Sequence, residues 1–176
     1  MKRWICAMTM IASGAWAEQG QMIETFDAGA QERWSYVADN VMGGVSTGQA
    51  QITQEGMHLT GMVSTQNNGG FIQVRRFYPD GLAADAQALV LTVRGNGARY
   101  TVFLRTEQAR RPWHNYKASF ETSAEWREVR LELSAFEAST TSLPAELAPE
   151  DVRSIGLAAY GADYEADLWV SELRVE

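Results

Sequence analysis

Histidine is scarce in this chain: His58 and His114 are the two it has, and its single cysteine is Cys6. Metal or nucleophilic chemistry would therefore fall to carboxylates, hydroxyls and arginines. Zinc sites draw on closely spaced histidine and cysteine ligands, and neither an H-x-x-x-H pair nor a cysteine pair exists, so no metal is expected. A structural calcium on loop oxygens such as those of Asp39 and Asn40 is the alternative to an ordinary turn role, in which such side chains bond their own backbone. Glycoside hydrolysis takes two carboxylates about 5 to 9.5 Å apart. Glu121 and Glu125, two of the 22 acidic residues, flank a loop and read as solvated. No G-x-S-x-G nucleophile elbow, and no serine, histidine and acid converging into a triad, are expected. The run Gly95-Asn96-Gly97-Ala98-Arg99-Tyr100 lacks the third glycine of a dinucleotide loop and leads into an alternating segment rather than a helix, so it reads as a hairpin turn. The chain is expected to be no enzyme, with no catalytic residue and no cofactor.

Recognition groups are richer. Arg110-Arg111-Pro112-Trp113-His114-Asn115-Tyr116 gathers flat stacking faces and forked donors, the groups used at sugar sites and at protein hot spots. Trp113 and Tyr116 are the candidate binding residues there, with Arg75, Arg105, Asn67 and Asn68 as polar partners. Trp113 keeps two readings, an anchor for a partner or a lid folded onto the core. Trp34, Trp126 and Trp169 stand at strand ends or within strands and are assigned to the core.

Two polar, glycine-rich corners are the other candidates. Asp39-Asn40-Val41-Met42-Gly43-Gly44-Val45-Ser46 sets a large apolar pair between two turn-forming pairs, which suggests Val41 and Met42 as a buried tooth. Asn67-Asn68-Gly69-Gly70-Phe71 repeats that chemistry and feeds a strand. Asp39 and Asn40 join the candidate binding set, while Gly43, Gly44, Gly69 and Gly70 are structural turn residues. Gly44 in particular should need a positive φ or a close backbone approach. At least two of the three segments, Asp39 to Ser46, Asn67 to Gly70 and Arg111 to Tyr116, should share one rim.

The elements that must position these groups are strands. Met22 to Phe26 opens the series, and Gln49 to Gln54 with Met57 to Val63 forms a hairpin about Glu55-Gly56. Phe71 to Phe77, Gln87 to Arg94, Arg99 to Arg105, Tyr116 to Phe120, Val129 to Leu133, Ser154 to Tyr160 and Asp167 to Leu173 continue it, several with apolar and polar residues alternating. Leu143 to Val152, with Pro144 and Pro149, is the one helical or irregular excursion. Short strands at even spacing and little helix argue an all-β sandwich in a single domain.

The first residues form a basic start, Lys2-Arg3, an apolar run to Ala12 and an Ala15-Trp16-Ala17 exit, so residues 1–17 read as a signal peptide and 18–176 as the mature domain. Loss of Lys2 and Arg3 takes the formal charge from −7 to −9. So acidic a protein is a poor match for nucleic acid or an anionic membrane, and no stretch is long and apolar enough to span a bilayer. The expected location is the periplasm or the medium.

The order W…D-N-V-M-G-G-V-S, N-N-G-G-F, V-R-G-N-G-A-R-Y and Trp126 before V-x-L-x-L, from about Phe26 to Leu173, resembles the complex I intermediate-associated protein 30 family. That resemblance implies a galactose-binding-like jelly-roll β-sandwich without known catalysis, whose mitochondrial members assist respiratory complex I assembly. The function expected first is accordingly a non-enzymatic exported protein-binding domain of the assembly-factor or chaperone type. The alternative is a carbohydrate-binding module for envelope or extracellular glycans.

Overall fold

The computed structural model describes residues 20–176. The signal peptide read over residues 1–17 and its cleavage point before Glu18 lie outside the described residues. The strands are β1 (Gln21–Glu24), β2 (Trp34–Ala38), β3 (Thr47–Thr53), β4 (Gly56–Val63), β5 (Phe71–Phe77), β6 (Ala88–Gly95), β7 (Arg99–Thr106), β8 (Tyr116–Glu121), β9 (Arg127–Glu132), β10 (Glu137–Ala138), β11 (Val152–Tyr160) and β12 (Tyr164–Val175). A single helical turn, α1 (Ala30–Arg33), precedes β2. Sheet one runs β3-β4-β12-β6-β9 with β1 also on β12, and sheet two runs β10-β8-β7-β11-β5-β2. Adjacent strands pair antiparallel throughout. The chain is the all-β sandwich its alternation predicts.

That alternation decides which way each strand faces, because successive side chains in a strand point to opposite sides. Leu89, Leu91 and Val93 of β6 are fully buried, and so are Met57 and Leu59 of β4 and Leu168 and Val170 of β12. From sheet two, Ile72, Val74, Tyr100, Val102, Leu104, Ile155, Leu157 and Ala159 meet them. Each large aliphatic side chain removed from water contributes roughly 1.5–3 kcal/mol, so these rows hold the two sheets together.

The turn at Gly95-Asn96-Gly97 is not a hairpin. It carries the chain from β6 in sheet one to β7 in sheet two. Its backbone bonds go outward, from Gly95 N–H to Ser123 O (2.8 Å) and from Asn96 N–H to Asp167 O (3.3 Å), and the Asn96 amide donates to Glu165 O (2.7 Å). The Glu55-Gly56 turn does close the expected hairpin, β3 on β4. The segment before β11 is irregular, with Leu143 buried and one 3-10 turn over Pro149–Asp151.

Candidate functional site

Asp39 is the hub of both glycine-rich corners. Its carboxylate is fully buried and accepts from Ser46 N–H (3.0 Å), Ser46 Oγ–H (2.5 Å), Gly70 N–H (2.6 Å) and Phe71 N–H (3.2 Å). Burial alone would push its pKa up, but the bonds from Ser46, Gly70 and Phe71 outweigh that and hold it below the ordinary carboxylate value. The spacing of the glycines follows. A Cβ on Gly44 would stand 2.3 Å from Asp39 Cγ, and one on Gly69 would stand 2.5 Å from Asp39 Oδ2. Gly43 closes the 3-10 turn Asp39–Met42 at φ +90°, a conformation that suits glycine. So Gly44 is glycine because of close approach, and the left-handed position is its neighbour.

The side chain that points inward from this corner is Asp39 itself. Val41 and Met42 are 74% and 61% exposed, so the buried tooth expected there is an exposed tip. Calcium does not fit either, since Asp39 is surrounded by N–H and O–H donors, the wrong polarity for a cation. Contrary to the expectation of no such motif, Gly44-Val45-Ser46-Thr47-Gly48 has the G-x-S-x-G spacing of a nucleophile elbow. Ser46 is buried, bonded to Asp39, and followed by strand β3 rather than by a helix, so the elbow geometry is absent.

A second buried acid escaped sequence reading altogether. Glu24 accepts from Arg33, Arg76, the Trp34 indole N–H and Phe26 N–H at 2.8–2.9 Å. Desolvation opposes its ionisation, but Arg33, Trp34 and Phe26 prevail and hold its pKa at about 2. It ties the first strand and α1 to the far end of β5.

The register separates the three candidate loops. Ala38 pairs with Ile72 and Ala159 with Ile72, so Asp39 to Ser46 and Asn67 to Gly70 occupy one end of sheet two. Ser154 pairs with both Phe77 and Arg105, which puts the Arg111 to Tyr116 loop at the opposite end. Two of the three thus share a rim. Asn40, Asn67 and Asn68 are exposed there, with Asn67 and Asn68 at φ +57° and +58°. Tyr116 is a core residue rather than a binding one: its ring is buried and its hydroxyl donates to Pro144 O (2.9 Å). Trp113 is 62% exposed, which removes the lid reading.

Arg75 and Arg105 come together on the outer face of sheet two. Central strand β11 contributes Ser154, Gly156, Ala158 and, at its end, Tyr160 to that face, the first three opposite Phe77, Arg75 and Gln73 of β5 on one side. Arg105, Phe103 and Thr101 of β7 stand opposite the same three on the other side. Over this floor of small residues lie Gln73 and Phe103. A Cβ on Gly156 would meet Gln73 Oε1 at 2.9 Å and Phe103 Cβ at 3.6 Å. Tyr160 meets Phe103 edge-on at 5.2 Å, and the Arg75 guanidinium lies 5.5 Å from the centre of the Phe77 ring. Phe77 is 71% exposed, an aromatic ring presented to water on the solvent side of a sheet. Arg105 reaches the other way, donating to Ala109 O (2.9 Å) and Arg111 O (3.0 Å), so it fixes the loop that carries Trp113. Burial, with Arg75 adding repulsion, lowers the Arg105 pKa.

The outer face of sheet one is built differently. His58 stacks on Trp169 at 3.8 Å, and Arg94 sits 4.8 Å from the ring centres of both Trp169 and Trp126. Trp126 and Trp169 therefore belong to the surface rather than to the core, while Trp34 is buried as expected. Asp167 engages His58 (2.8 Å) and Glu55 engages Arg94 (2.5 Å), so the polar ends of this stack already have partners. Among the described residues there is no group of three or more His, Cys, Asp or Glu able to hold a metal, and no helix long and apolar enough to cross a membrane.

The fold is similar to that of several solved structures. The family 11 carbohydrate-binding module of the cellulosomal cellulase Lic26A-Cel5E of Clostridium thermocellum superposes with a TM-score of 0.68 at 13% identity, over 89% of this chain and 93% of that one. A family 11 module from Clostridium thermocellum in complex with a β-1,3-1,4-mixed-linked tetrasaccharide gives 0.67 at 14% identity, over 88% and 94%. The agarase AgWH50C gives 0.63 at 10% identity, over 90% of this chain and 25% of that one. These likenesses establish the jelly-roll β-sandwich fold. None of the curated proteins matches the chain. Residues 24–168 match the family of complex I intermediate-associated protein 30, spanning the Glu24 anchor, the Asp39 hub and the outer face of sheet two, and the chain belongs to that family.

Proposed function

We propose that this chain is a glycan-binding domain that acts outside the cytoplasm and receives an extended saccharide across the outer face of sheet two. One observation carries the reading: aromatic rings and forked or amide donors alternate there over a floor of Ser154, Gly156 and Ala158. A sugar ring offers a C–H face to an aromatic ring and hydroxyls to flanking donors, so such a surface matches it on both counts. The solved structures most relevant here are named as carbohydrate-binding modules, one of them holding a tetrasaccharide, which supports the same reading. The test is affinity electrophoresis through gels containing envelope and plant-type polysaccharides. Wild type should be retarded by at least one of them, and Phe103→Ala with Tyr160→Ala should lose that retardation while unfolding at a nearly unchanged temperature. Free migration of wild type through every gel would refute the proposal.

Protein docking is the second reading, in line with the family's association with complex I intermediates. A specific observation favours it: Val41 and Met42 stand out from a rigid Asp39 hub, with Val45 46% and Met62 52% exposed. Large apolar side chains held outward on a fixed turn are anchors for a partner protein. A photocrosslinker placed at Met42 in cells tests this; adducts at Met42 and none on sheet two would favour docking over glycan binding.

A further inference from the structure

The described residues hold thirteen arginines and lysines, and seven of them form ion pairs with carboxylates: Arg33, Arg76, Arg94, Arg99, Arg130, Arg153 and Arg174. The other six are Arg75, Arg105, Arg110, Arg111, Lys117 and Arg127. All but Arg127 lie on the outer face of sheet two or on the loop between β7 and β8. In a protein with 22 acids and 15 bases, cations left without carboxylates would not be expected to gather in one place. The two arginines of the face are also built in. Arg75 is propped on Phe77, and Arg105 is half-buried, with its Nε shielded from solvent and unpartnered. Arg75 repels the Arg105 charge across the face, and an anion bound there relieves that repulsion. Glu137 pairs in register with Lys117 at the sheet's edge without forming an ion pair, so the unopposed charge is greatest toward Arg75, Arg105 and the loop.

We propose that the ligand of this face is an acidic polysaccharide, a chain of hexuronate residues whose carboxylates are taken by Arg75 and by the arginines at the Trp113 end. The inference rests on the glycan reading above and narrows it to one class. Uronates suit the site because a guanidinium meets a planar carboxylate through two parallel N–H bonds. Arg75 and Arg105 lie on the strands to either side of β11, two positions out of step. Two strand spacings of about 4.8 Å and a two-residue offset of about 6.7 Å put their backbones roughly 12 Å apart, so they address different residues of a chain rather than one. The direction is set as well: the polymer would run obliquely across β11 from Gln73 toward Trp113.

Calorimetry with the mature chain would use polygalacturonate, its carboxyl-reduced galactan and a sulfated galactan, at low salt and at about 0.5 M salt. Polygalacturonate should bind about tenfold or more tighter than the reduced polymer, with the advantage shrinking at high salt. Arg75→Gln, which removes no hydrogen bond within the fold, should erase most of that advantage, and Arg111→Gln should erase part of it. Equal binding of the polygalacturonate and reduced polymers, insensitive to Arg75→Gln, would overturn the acidic-ligand inference and leave glycan binding standing. Preference for the sulfated polymer over polygalacturonate would overturn the choice of carboxylate. Failure of folded wild type to bind any of the three, or any neutral glycan, would overturn this inference together with the glycan reading.

Discussion

Replacing Asp39 with alanine should cost this domain about 4 kcal/mol, and the figure can be worked from its partners. The carboxylate satisfies the backbone N–H groups of Ser46, Gly70 and Phe71 and the Ser46 hydroxyl. Ser46 Oγ also has the Ser64 carbonyl at 3.2 Å, so it keeps a partner when the carboxylate is gone. Three N–H groups do not, and each buried, unsatisfied donor costs about 1–3 kcal/mol, less where water enters the vacated space. For a domain of this size that corresponds to a fall of roughly 8–16 °C in the melting midpoint. Asp39→Asn keeps one acceptor oxygen but turns an NH2 toward a donor, so it should cost about 2 kcal/mol. The sharper version is a double-mutant cycle with Gly44→Ala, whose new Cβ would meet Asp39 Cγ at 2.3 Å. Once Asp39 is alanine that carbon has gone, so the Gly44→Ala penalty should shrink by about 1 kcal/mol or more. Urea unfolding of the four proteins measures all of this. An Asp39→Ala variant within about 1 kcal/mol of wild type, or two penalties that simply add, would refute the hub.

Acid should unfold the domain partly through Glu24, whose pKa is held at about 2 against an ordinary 4.5. A depressed folded-state pKa means its contribution, about 3 kcal/mol, is present above the ordinary value and lost as pH falls from about 4.5 toward 2. Urea midpoints followed over that range should fall less steeply in Glu24→Gln than in wild type, and parallel curves would count against the assignment. Trp113→Ala should change stability by less than about 0.5 kcal/mol, because the ring is 62% exposed. A loss of about 3–5 kcal/mol would restore it as a core lid. Arg94→Ala should cost about 1 kcal/mol and shift the tryptophan fluorescence, since it removes the cation between Trp126 and Trp169, without altering glycan retardation. An unchanged emission spectrum would show that the stack does not persist in solution.

How much of this was legible beforehand depends on the range of the interaction. Strand alternation is local, so Leu89-Leu91-Val93 and Tyr100-Val102-Leu104 announced both their strands and their inner faces. The turn glycines were legible as turns, but their reason was not. Gly44 and Gly69 are set by one carboxylate that reaches Ser46 and Gly70, 7 and 31 residues away. The Gly95–Gly97 turn misled because a tight turn between two alternating runs looks the same whether the second run pairs with the first or crosses to the other sheet. Later partners decide it, β9 and β12 for the first run and β8 and β11 for the second. Trp126 and Trp169 misled for a related reason: tryptophan is ordinarily core, and a cross-strand neighbour such as Arg94 can hold it flat against an outer face. Arg75 and Arg105 were named as partners from residue type alone. The face they share exists because the register puts both beside the small residues of β11.

The central claim is one of place, that ligand lies on the outer face of sheet two. Backbone amide chemical-shift mapping of labelled residues 18–176, titrated with an acidic oligosaccharide, tests it most directly. Shifts should concentrate in residues 73–77, 101–105 and 154–158 and extend into the 109–114 loop, leaving His58, Arg94 and Trp169 unmoved. Shifts centred on the His58–Trp169–Arg94 stack or on the Val41–Met42 tip, with sheet two silent, would contradict it.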